Sequence, residues 1–356
     1  MLFEISNSTA HGVGMVRDHD GLGPAADGDQ PQARAHAHAQ GGAEAARRRP
    51  LAARAHLAAL GLPDRDLGEL PTSRKRFGDG AEYRVEIPSV EGPEPFAAVL
   101  EAAAERAVPV HRISQGSGIM LLTDAEIGRM VGMGRERGVE VCLFTGPRAA
   151  WDVGVQVTAT SGRVAAGTLR GAEQLAFAVE DVLHACALGV RSVLVADAGQ
   201  LSVLGRLRST GDLPEDLILK MSISFPTTNP ATARLLEDLG ANSLNLPVDL
   251  SLAQIASIRQ AVDVPLDLYI EGADDFGGPV RYYEVPEIVR VAAPVYLKFT
   301  VRNAPGIYPV GRHLAGVAVE TARERVRRAS IGLAMLARYH PDAVTSRGGG
   351  ASVAPP

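Results

Sequence analysis

Cysteine, lysine and aromatic residues are all scarce in this chain of 356 residues. Its two cysteines, Cys142 and Cys186, are too few for a four-thiolate zinc site or cluster, and such sparse cysteine is typical of the reducing cytosol. No apolar run approaches the ~18 residues of a membrane span, and no secretory signal is apparent. The sequence therefore predicts a cytoplasmic protein without a membrane partner.

Acidic residues outnumber basic ones, and nearly all of the basic residues are arginines. The formal net charge of -5 argues against a nucleic-acid partner, for which a basic footprint is expected. Among the 36 basic residues only Lys75, Lys220 and Lys298 are lysines. Because arginine supplies nearly all of this charge, a lysine inside a strand indicates a need for a compact ammonium or a titratable amine.

Both ends of the chain lack a regular hydrophobic period. Residues 1–75 are rich in alanine, glycine, histidine and arginine, which predicts a mostly disordered extension with a short helix near residues 51–60. Residues 341–356 contain a glycine run and a terminal Pro-Pro, which predicts a flexible tail. A single catalytic domain is therefore expected over residues 76–340.

Strand and helix patterns alternate eight times over about 260 residues between these tails, the number and size of a (βα)8 barrel. The alternative is an open doubly wound sheet, but the first strand ends without a G-x-G-x-x-G phosphate turn. We therefore predict an α/β fold of the (βα)8 TIM-barrel class. The strands are expected within residues 83–89, 108–115, 139–146, 190–197, 217–224, 241–249, 264–278 and 294–302.

Several helix ends carry recognisable capping signals. The run from Thr123 to Glu126 resembles a capping box that starts a helix. Gly138, Gly189 and Gly240 each stand one or two residues before a predicted strand, where a left-handed helix cap is expected. These signals support short connections between successive helices and strands.

The seventh strand shows most clearly that the inner face of the barrel is polar. The segment 266–271 alternates leucine or isoleucine with Asp267, Tyr269 and Glu271, the period of two that is typical of a strand. Both faces of a parallel sheet are normally apolar. Three polar side chains on one face therefore indicate that this face points at the barrel axis, where a site can be built.

Polar side chains near the carboxyl ends of other strands complete the predicted site, because barrel enzymes bind substrate at that end. The predicted catalytic residues are Glu86, His111, Lys220, Glu271 and Lys298. The predicted substrate-binding residues are Trp151, Asn245, Asp267, Tyr269, Arg302 and Asn303.

Three mechanisms fit these residues, and the sequence leaves all three open. In the first, Glu86, His111 and Glu271 serve as acid, base and orienting group while the two strand lysines hold an anionic or carbonyl oxygen. In the second, a divalent metal polarises a carbonyl or activates water. Its candidate ligands are Glu86, His111, Asp267 and Glu271. In the third, a desolvated lysine forms a Schiff base with a carbonyl substrate.

Two further interpretations assign these charges no catalytic role. The lysines can form a salt-bridged plug in the barrel, for example Lys298 with Glu86 or Lys220 with Asp267. The protein can also be a barrel that binds a metabolite without turning it over. In that case the arginine-rich stretch 323–328 of the last helix is either a homo-oligomer or docking surface, or simply a solvated helix face.

The second half of the barrel resembles a known family. The run from Leu268 to Ala273 reads Leu-Tyr-Ile-Glu-Gly-Ala, and the segment 239–258 places a strand before a Leu-Ser-Leu-x-x-Ile helix. Both features resemble the collagenase-like peptidases of unknown catalytic type, family thirty-two of that group. After Ala273 the family has Cys and then Ser-Tyr-Ser-Gly, where this chain has Asp-Asp-Phe-Gly-Gly.

The resemblance implies a (βα)8 barrel and favours a hydrolase acting on a small polar substrate with a carbonyl or carboxylate group. It carries over Glu271 and Gly272 as site positions. Relatives with an iron–sulfur cluster use cysteines that this chain lacks, so no such cluster is expected. A lyase, aldolase or isomerase is the alternative favoured by the interior lysines.

Overall fold

A computed structural model of the chain forms a closed barrel of eight parallel strands, in which β8 returns to pair with β1. The predicted (βα)8 fold is therefore confirmed. Residues 1–51 of the predicted extension and residues 348–356 of the predicted tail lie outside the described residues. The structure describes residues 52–66, 68–151, 154–159 and 165–347.

Strands and helices alternate along the barrel. The strands are β1 (Tyr83–Pro88), β2 (Arg112–Ser114), β3 (Glu140–Phe144), β4 (Ser192–Val195), β5 (Ile218–Met221), β6 (Ser243–Asn245), β7 (Leu266–Glu271) and β8 (Val295–Phe299). The helices are α1 (Ala52–Ala59), α2 (Pro93–Arg106), α3 (Asp124–Arg137), α4 (Val155–Thr158), α5 (Gly171–Ala187), α6 (Ala198–Thr210), α7 (Pro230–Asp238), α8 (Leu252–Ala261), α9 (Val285–Ala292) and α10 (Ala315–Tyr339). No helix in these described residues is long and apolar enough to cross a membrane.

The helix caps follow the sequence signals. The hydroxyl of Thr123 accepts a hydrogen bond from the Glu126 backbone N–H at 3.3 Å, and the Glu126 carboxylate accepts one from the Thr123 N–H at 2.8 Å. The predicted capping box at the start of α3 is therefore confirmed. At the other end of α3, Gly138 adopts φ 64°, a left-handed conformation that costs glycine little.

The apolar core lies between the barrel and its ring of helices. In β1, Val85 and Ile87 are fully buried in this core and alternate with Arg84 and Glu86. Successive residues of a strand face opposite sides of the sheet, so the two charged side chains belong to the inner face. The helices are thus held by ordinary apolar packing, while the interior of the barrel is charged.

A β-bulge interrupts the pairing of β7 with β8. Tyr269 pairs with Lys298, but the next pair joins Glu271 to Phe299, so β7 contains one extra residue at this point. A bulge of this kind reverses the alternation of side chains beyond it. The residues of β7 after Tyr269 therefore change sides relative to a regular strand.

The segments that precede and follow the barrel in the sequence both pack against its N-terminal end. Thr345 forms a parallel bridge with Tyr83, so residues 341–347 of the predicted tail run beside β1. From the other side, Lys75 contacts Asp263 at 2.6 Å. The short helix expected near residues 51–60 is present as α1.

Helix α6 packs closely on the turn that follows α7, and this contact is testable through Gly205. An added Cβ at Gly205 would lie 2.4 Å from the backbone oxygen of Leu239, which cannot move easily. We expect Gly205→Ala to lower the free energy of unfolding by about 1–3 kcal/mol in a denaturant titration.

The matched control is Gly132→Ala in α3, where an added Cβ meets nothing within 4 Å. Alanine has the higher helix propensity, so this variant should gain up to ~1 kcal/mol. Equal effects of the two substitutions would contradict the close approach of α6 to Leu239.

Candidate functional site

The interior of the barrel holds a network of three cations and three carboxylates, contributed by six different strands. Its members are Glu86, Arg112, Glu140, Lys220, Asp267 and Lys298. Apart from Glu140, whose side chain is 6% exposed, these side chains are at most 2% exposed. The formal charges cancel, which satisfies the requirement that buried charges be paired.

Glu86 is the centre of this network. Its carboxylate contacts the ammonium of Lys220 on the opposite side of the barrel, the ammonium of Lys298 at 3.3 Å and the guanidinium of Arg112 at 3.3 Å. It also accepts a hydrogen bond of 2.6 Å from the Ser114 hydroxyl. Burial opposes ionisation, but the three cations outweigh it and hold the pKa of Glu86 far below its usual range.

Asp267 is the second carboxylate shared by several cations. It lies 3.2 Å from the Lys220 ammonium and 3.3 Å from the Arg112 guanidinium, and the Ser243 hydroxyl donates to it at 3.2 Å. Lys220 therefore bridges two carboxylates. Both ion pairs of the salt-bridged alternative, Lys298 with Glu86 and Lys220 with Asp267, are present.

Arg112 is a member of the network that the sequence analysis missed. Its Nε donates to Glu140 at 2.7 Å, and its guanidinium stacks on the ring of Tyr296 at 3.6 Å from the centroid. The register of β1 and β2 pairs Glu86 directly with Arg112. Arg112 alternates with Ser114 in the second strand, and this pattern could have indicated an inward-facing side chain. The sequence analysis chose His111 as the functional residue of that strand instead.

The structure does not bring His111 to this network. His111 precedes β2 at the N-terminal end of the barrel, where its Nδ1 accepts a hydrogen bond from the Val85 N–H at 3.0 Å. Its Nε2 lies 2.9 Å from the backbone oxygen of Ser346. Burial lowers the pKa of the imidazole. Both ring nitrogens thus form hydrogen bonds with backbone groups at the N-terminal end of the barrel, opposite to the predicted site.

Glu271 also leaves the inner face, because the bulge in β7 turns it outward with Phe299. Its carboxylate accepts hydrogen bonds from the Tyr282 hydroxyl at 2.5 Å and from the Arg302 N–H at 3.0 Å. Arg328 of α10 lies 3.7 Å away. The expectation that Glu271 shares one face with Asp267 is therefore corrected: Glu271 lies beneath α10 and anchors the loop after β8.

Two predicted residues, Lys298 and Tyr269, meet inside the barrel, and a third, Asn245, lies at the carboxyl end of β6. The Lys298 ammonium lies 4.3 Å from the ring centroid of Tyr269 and below it contacts Glu86. Asn245, the last residue of β6, is 1% exposed, and its amide oxygen has no hydrogen-bond partner among the described residues. A buried amide oxygen without a partner is costly, which makes it a candidate for contact with a ligand.

The loop after β8 closes on neighbouring loops rather than on the network. The Arg302 side chain donates to Asp274 at 2.9 Å, and the Asn303 N–H donates to the same carboxylate at 2.6 Å. Arg302 is 47% exposed at its side chain. These two predicted substrate-binding residues therefore join the loop after β8 to the loop after β7. The side chain of Trp151 lies outside what the structure describes.

Further along the same loop, Tyr308 reaches across to the loops after β1 and β2. Its hydroxyl donates to the Ser89 hydroxyl, and an added Cβ at Gly116 would meet its ring at 2.5 Å. The Val310 N–H donates to the Ser117 hydroxyl at 2.9 Å. Only glycine at position 116 allows this ring to pack so closely over the mouth of the barrel.

The four candidate metal ligands are not assembled into one site. Glu86 and Asp267 are engaged by ammonium and guanidinium groups, His111 lies at the opposite end, and Glu271 faces α10. Within the part of the chain that the structure describes, no group of three or more His, Cys, Asp or Glu side chains is arranged to hold a metal ion.

Comparison with known proteins supports a barrel enzyme whose activity it leaves open. Residues 159–275 match the family model described as peptidase family U32, which confirms the resemblance seen in the sequence. The chain is similar to that family over these residues, about a third of its length. The matched segment includes Lys220, Asn245, Asp267 and Tyr269 but stops short of Lys298. The comparison with curated proteins gave no match.

Several solved structures resemble much of the chain at low sequence identity. The U32 peptidase Mk0906 is 17% identical, with 68% of this chain and 98% of that chain covered at a TM-score of 0.35. A truncated 3-deoxy-D-arabino-heptulosonate 7-phosphate synthase from Thermotoga maritima is 14% identical, with 80% and 94% covered at a TM-score of 0.44. Likenesses this weak assign no activity to the present chain.

The central role of Glu86 can be tested by Glu86→Gln. The substitution removes one negative charge and leaves three buried cations against two carboxylates. We expect the free energy of unfolding to fall by about 3–5 kcal/mol in a denaturant titration at neutral pH.

The control is Glu94→Gln, which breaks the surface pair of Glu94 with Arg129 at 3.0 Å. Its effect should stay below about 1 kcal/mol. A loss for Glu86→Gln no larger than that of the control would show that the interior charges are not energetically coupled.

Proposed function

We propose that the protein is a barrel enzyme that acts on a small polar substrate bearing a carbonyl or carboxylate group, bound at the carboxyl end of the barrel. The observation that carries this proposal is the position of Lys298. Among the residues that the structure describes, its ammonium contacts one carboxylate, that of Glu86 at 3.3 Å, and it also faces the Tyr269 ring. An ammonium has three N–H donors, so donors remain for a substrate oxygen.

In this proposal Lys298 meets the reacting oxygen of the substrate. It stabilises negative charge that develops there, as a fixed cation in a water-poor site can do without reorganisation. Glu86 keeps Lys298 oriented. Because its own pKa is strongly lowered, Glu86 stays ionised, has no proton to donate and acts as a positioning residue. Lys220 fixes Glu86 from the opposite side of the barrel.

The unpartnered amide oxygen of Asn245 supplies the second contact by accepting a hydrogen bond from a substrate N–H or O–H, and the Tyr269 ring lines the site beside Lys298. Resemblance to the U32 peptidases favours hydrolysis as the reaction class. On that basis an amide or ester bond is cleaved beside a carboxylate or carbonyl that Lys298 holds. A cytoplasmic location is part of the same proposal.

A lyase or aldolase reaction through a Schiff base is the second candidate. It is favoured by the burial of the Lys220 and Lys298 ammonium groups, which both contact the Glu86 carboxylate. A lysine in a desolvated site can serve as the nucleophile of such a reaction. The free amine of Lys298 would then add to the substrate carbonyl, and water would leave.

Turnover provides the direct test of the role of Lys298. The full chain is incubated with panels of dipeptides and small 2-oxo acids, and products are followed by mass spectrometry. If the wild type converts a compound, Lys298→Met should lower kcat/KM by about 10²-fold or more, the loss typical of removing a charge-stabilising donor.

Lys75→Met is the matched control, since Lys75 lies at the other end of the barrel against Asp263. It should leave kcat/KM unchanged. Equal turnover by Lys298→Met and Lys75→Met would overturn the assignment. Saturable binding of a panel compound without turnover by the wild type would favour a metabolite-binding barrel instead.

The Schiff-base candidate predicts covalent trapping. The wild type is treated with pyruvate and borohydride, digested and mapped by mass spectrometry. The reduced adduct should appear on Lys298 and be absent from the Lys298→Met variant. Labelling confined to Lys75, or no labelling at all, would remove this candidate and leave non-covalent chemistry.

A further inference from the structure

A cavity of about 170 Å³ lies at the N-terminal end of the barrel, opposite to the proposed substrate site. The residues around it precede or begin the strands, as Asn242 does before β6. Guanidinium groups dominate its polar lining. They belong to Arg76, Arg84, Arg112 and Arg208.

Two of these guanidinium groups are buried, and both contact the side chain of Tyr296. Arg84 is 7% and Arg112 is 1% exposed. Arg84 donates to the Tyr296 hydroxyl at 3.3 Å, while Arg112 stacks on the ring of the same tyrosine. The Nε and Nη1 of Arg112 donate to the carboxylates of Glu140, Glu86 and Asp267. The network therefore holds the guanidinium of Arg112 in place beside the cavity.

Arg208 adds a cation whose hydrogen bonds involve no carboxylate. It projects from α6 and donates to the backbone oxygens of Leu217 at 2.7 Å and Gly240 at 2.8 Å, and to the Asn242 amide oxygen at 2.5 Å. Burial lowers its pKa, and no acidic group offsets this effect. A half-buried guanidinium held only by neutral oxygens retains an unbalanced positive charge.

The other arginines of the cavity have carboxylate partners outside it. Arg76 contacts Glu82 at 2.7 Å, Arg84 contacts Asp79 at 3.5 Å, and Arg112 belongs to the neutral network. The uncompensated charge is therefore that of Arg208.

The acidic residues of the cavity, Glu215 and Asp216, are both exposed at its rim. Asp216 pairs with Arg191 at 3.1 Å, and its side chain is 70% exposed. The cation-rich wall therefore faces the interior while the acidic residues face solvent.

We propose that this cavity binds a small oxyanion, a carboxylate or a phosphate, between Arg84, Arg112 and Arg208. Planar guanidiniums match the oxygens of such anions and bind them by paired hydrogen bonds. The cavity equals the liquid volume of roughly five to six waters at ~30 Å³ each, so only an anion of a few heavy atoms fits. This site is separate from the catalytic proposal and does not depend on it.

The test is calorimetric titration of the full chain with inorganic phosphate and, separately, with malonate. We expect saturable binding of at least one anion at one site per chain, weakened by added sodium chloride. Arg208→Gln should weaken that binding about tenfold, the effect of losing a charge-assisted hydrogen bond. A response to phosphate alone or malonate alone would identify which oxyanion the cavity takes.

Two controls locate the site. Arg206→Gln changes an exposed arginine on the same helix and should leave the affinity unchanged. Arg129→Gln removes an exposed cation of α3 that pairs with Glu94 and should also leave it unchanged. Absence of saturable binding to the wild type, equal losses in Arg206→Gln and Arg208→Gln, or a loss in Arg129→Gln as large as that in Arg208→Gln would overturn the proposal.

Discussion

The carboxylate of Glu86, held by three cations inside the barrel, is the constraint on which the rest of the structure depends. Its partners come from β2, β5 and β8, and through Asp267 and Glu140 the network extends to β7 and β3. Six of the eight strands are therefore joined across the axis by charge as well as around the wall by backbone hydrogen bonds. Loss of any single charge would leave another one buried without a partner.

Such an interior is not the simplest way to stabilise a barrel. Layers of branched apolar side chains fill most barrels of this class, and a buried ion pair rarely adds net stability over them. Here most apolar residues of the strands pack outward against the helices, and β3 and β4 place the small apolar cluster of Cys142, Phe144, Leu194 and Ala196 inside the barrel. We infer that the charges are retained because they present Lys298 at one end and Arg112 at the other, each held in place by the carboxylates between them.

The sequence predicted the fold well because the repeating signal is local. Alternating strands, capping residues such as Thr123 and left-handed glycines such as Gly138 each report on a few neighbouring residues. The inward position of Lys220 and Lys298 also followed from alternation alone. Their partners across the barrel were predicted only as examples, since residues far apart in sequence are joined by closure of the sheet.

The failures have equally specific causes. Glu271 follows the alternation of β7 in sequence, but the bulge depends on how β7 pairs with β8, which no pattern within β7 records. His111 was taken as the polar residue of its strand, although that strand begins at the next residue. Arg112 was passed over because its alternation with Ser114 does not show that it pairs with Glu86, which depends on the register of β1 and β2.

The rarity of lysine has a practical consequence for chemistry on the folded protein. Lys220 and Lys298 are buried inside the barrel, and the side chain of Lys75 is 34% exposed. Acylating reagents, amine-directed cross-linkers and enzymes that modify lysine therefore meet one accessible side-chain amine on the native surface. When the barrel unfolds, Lys220 and Lys298 also become reactive, so the number of lysines labelled measures unfolding.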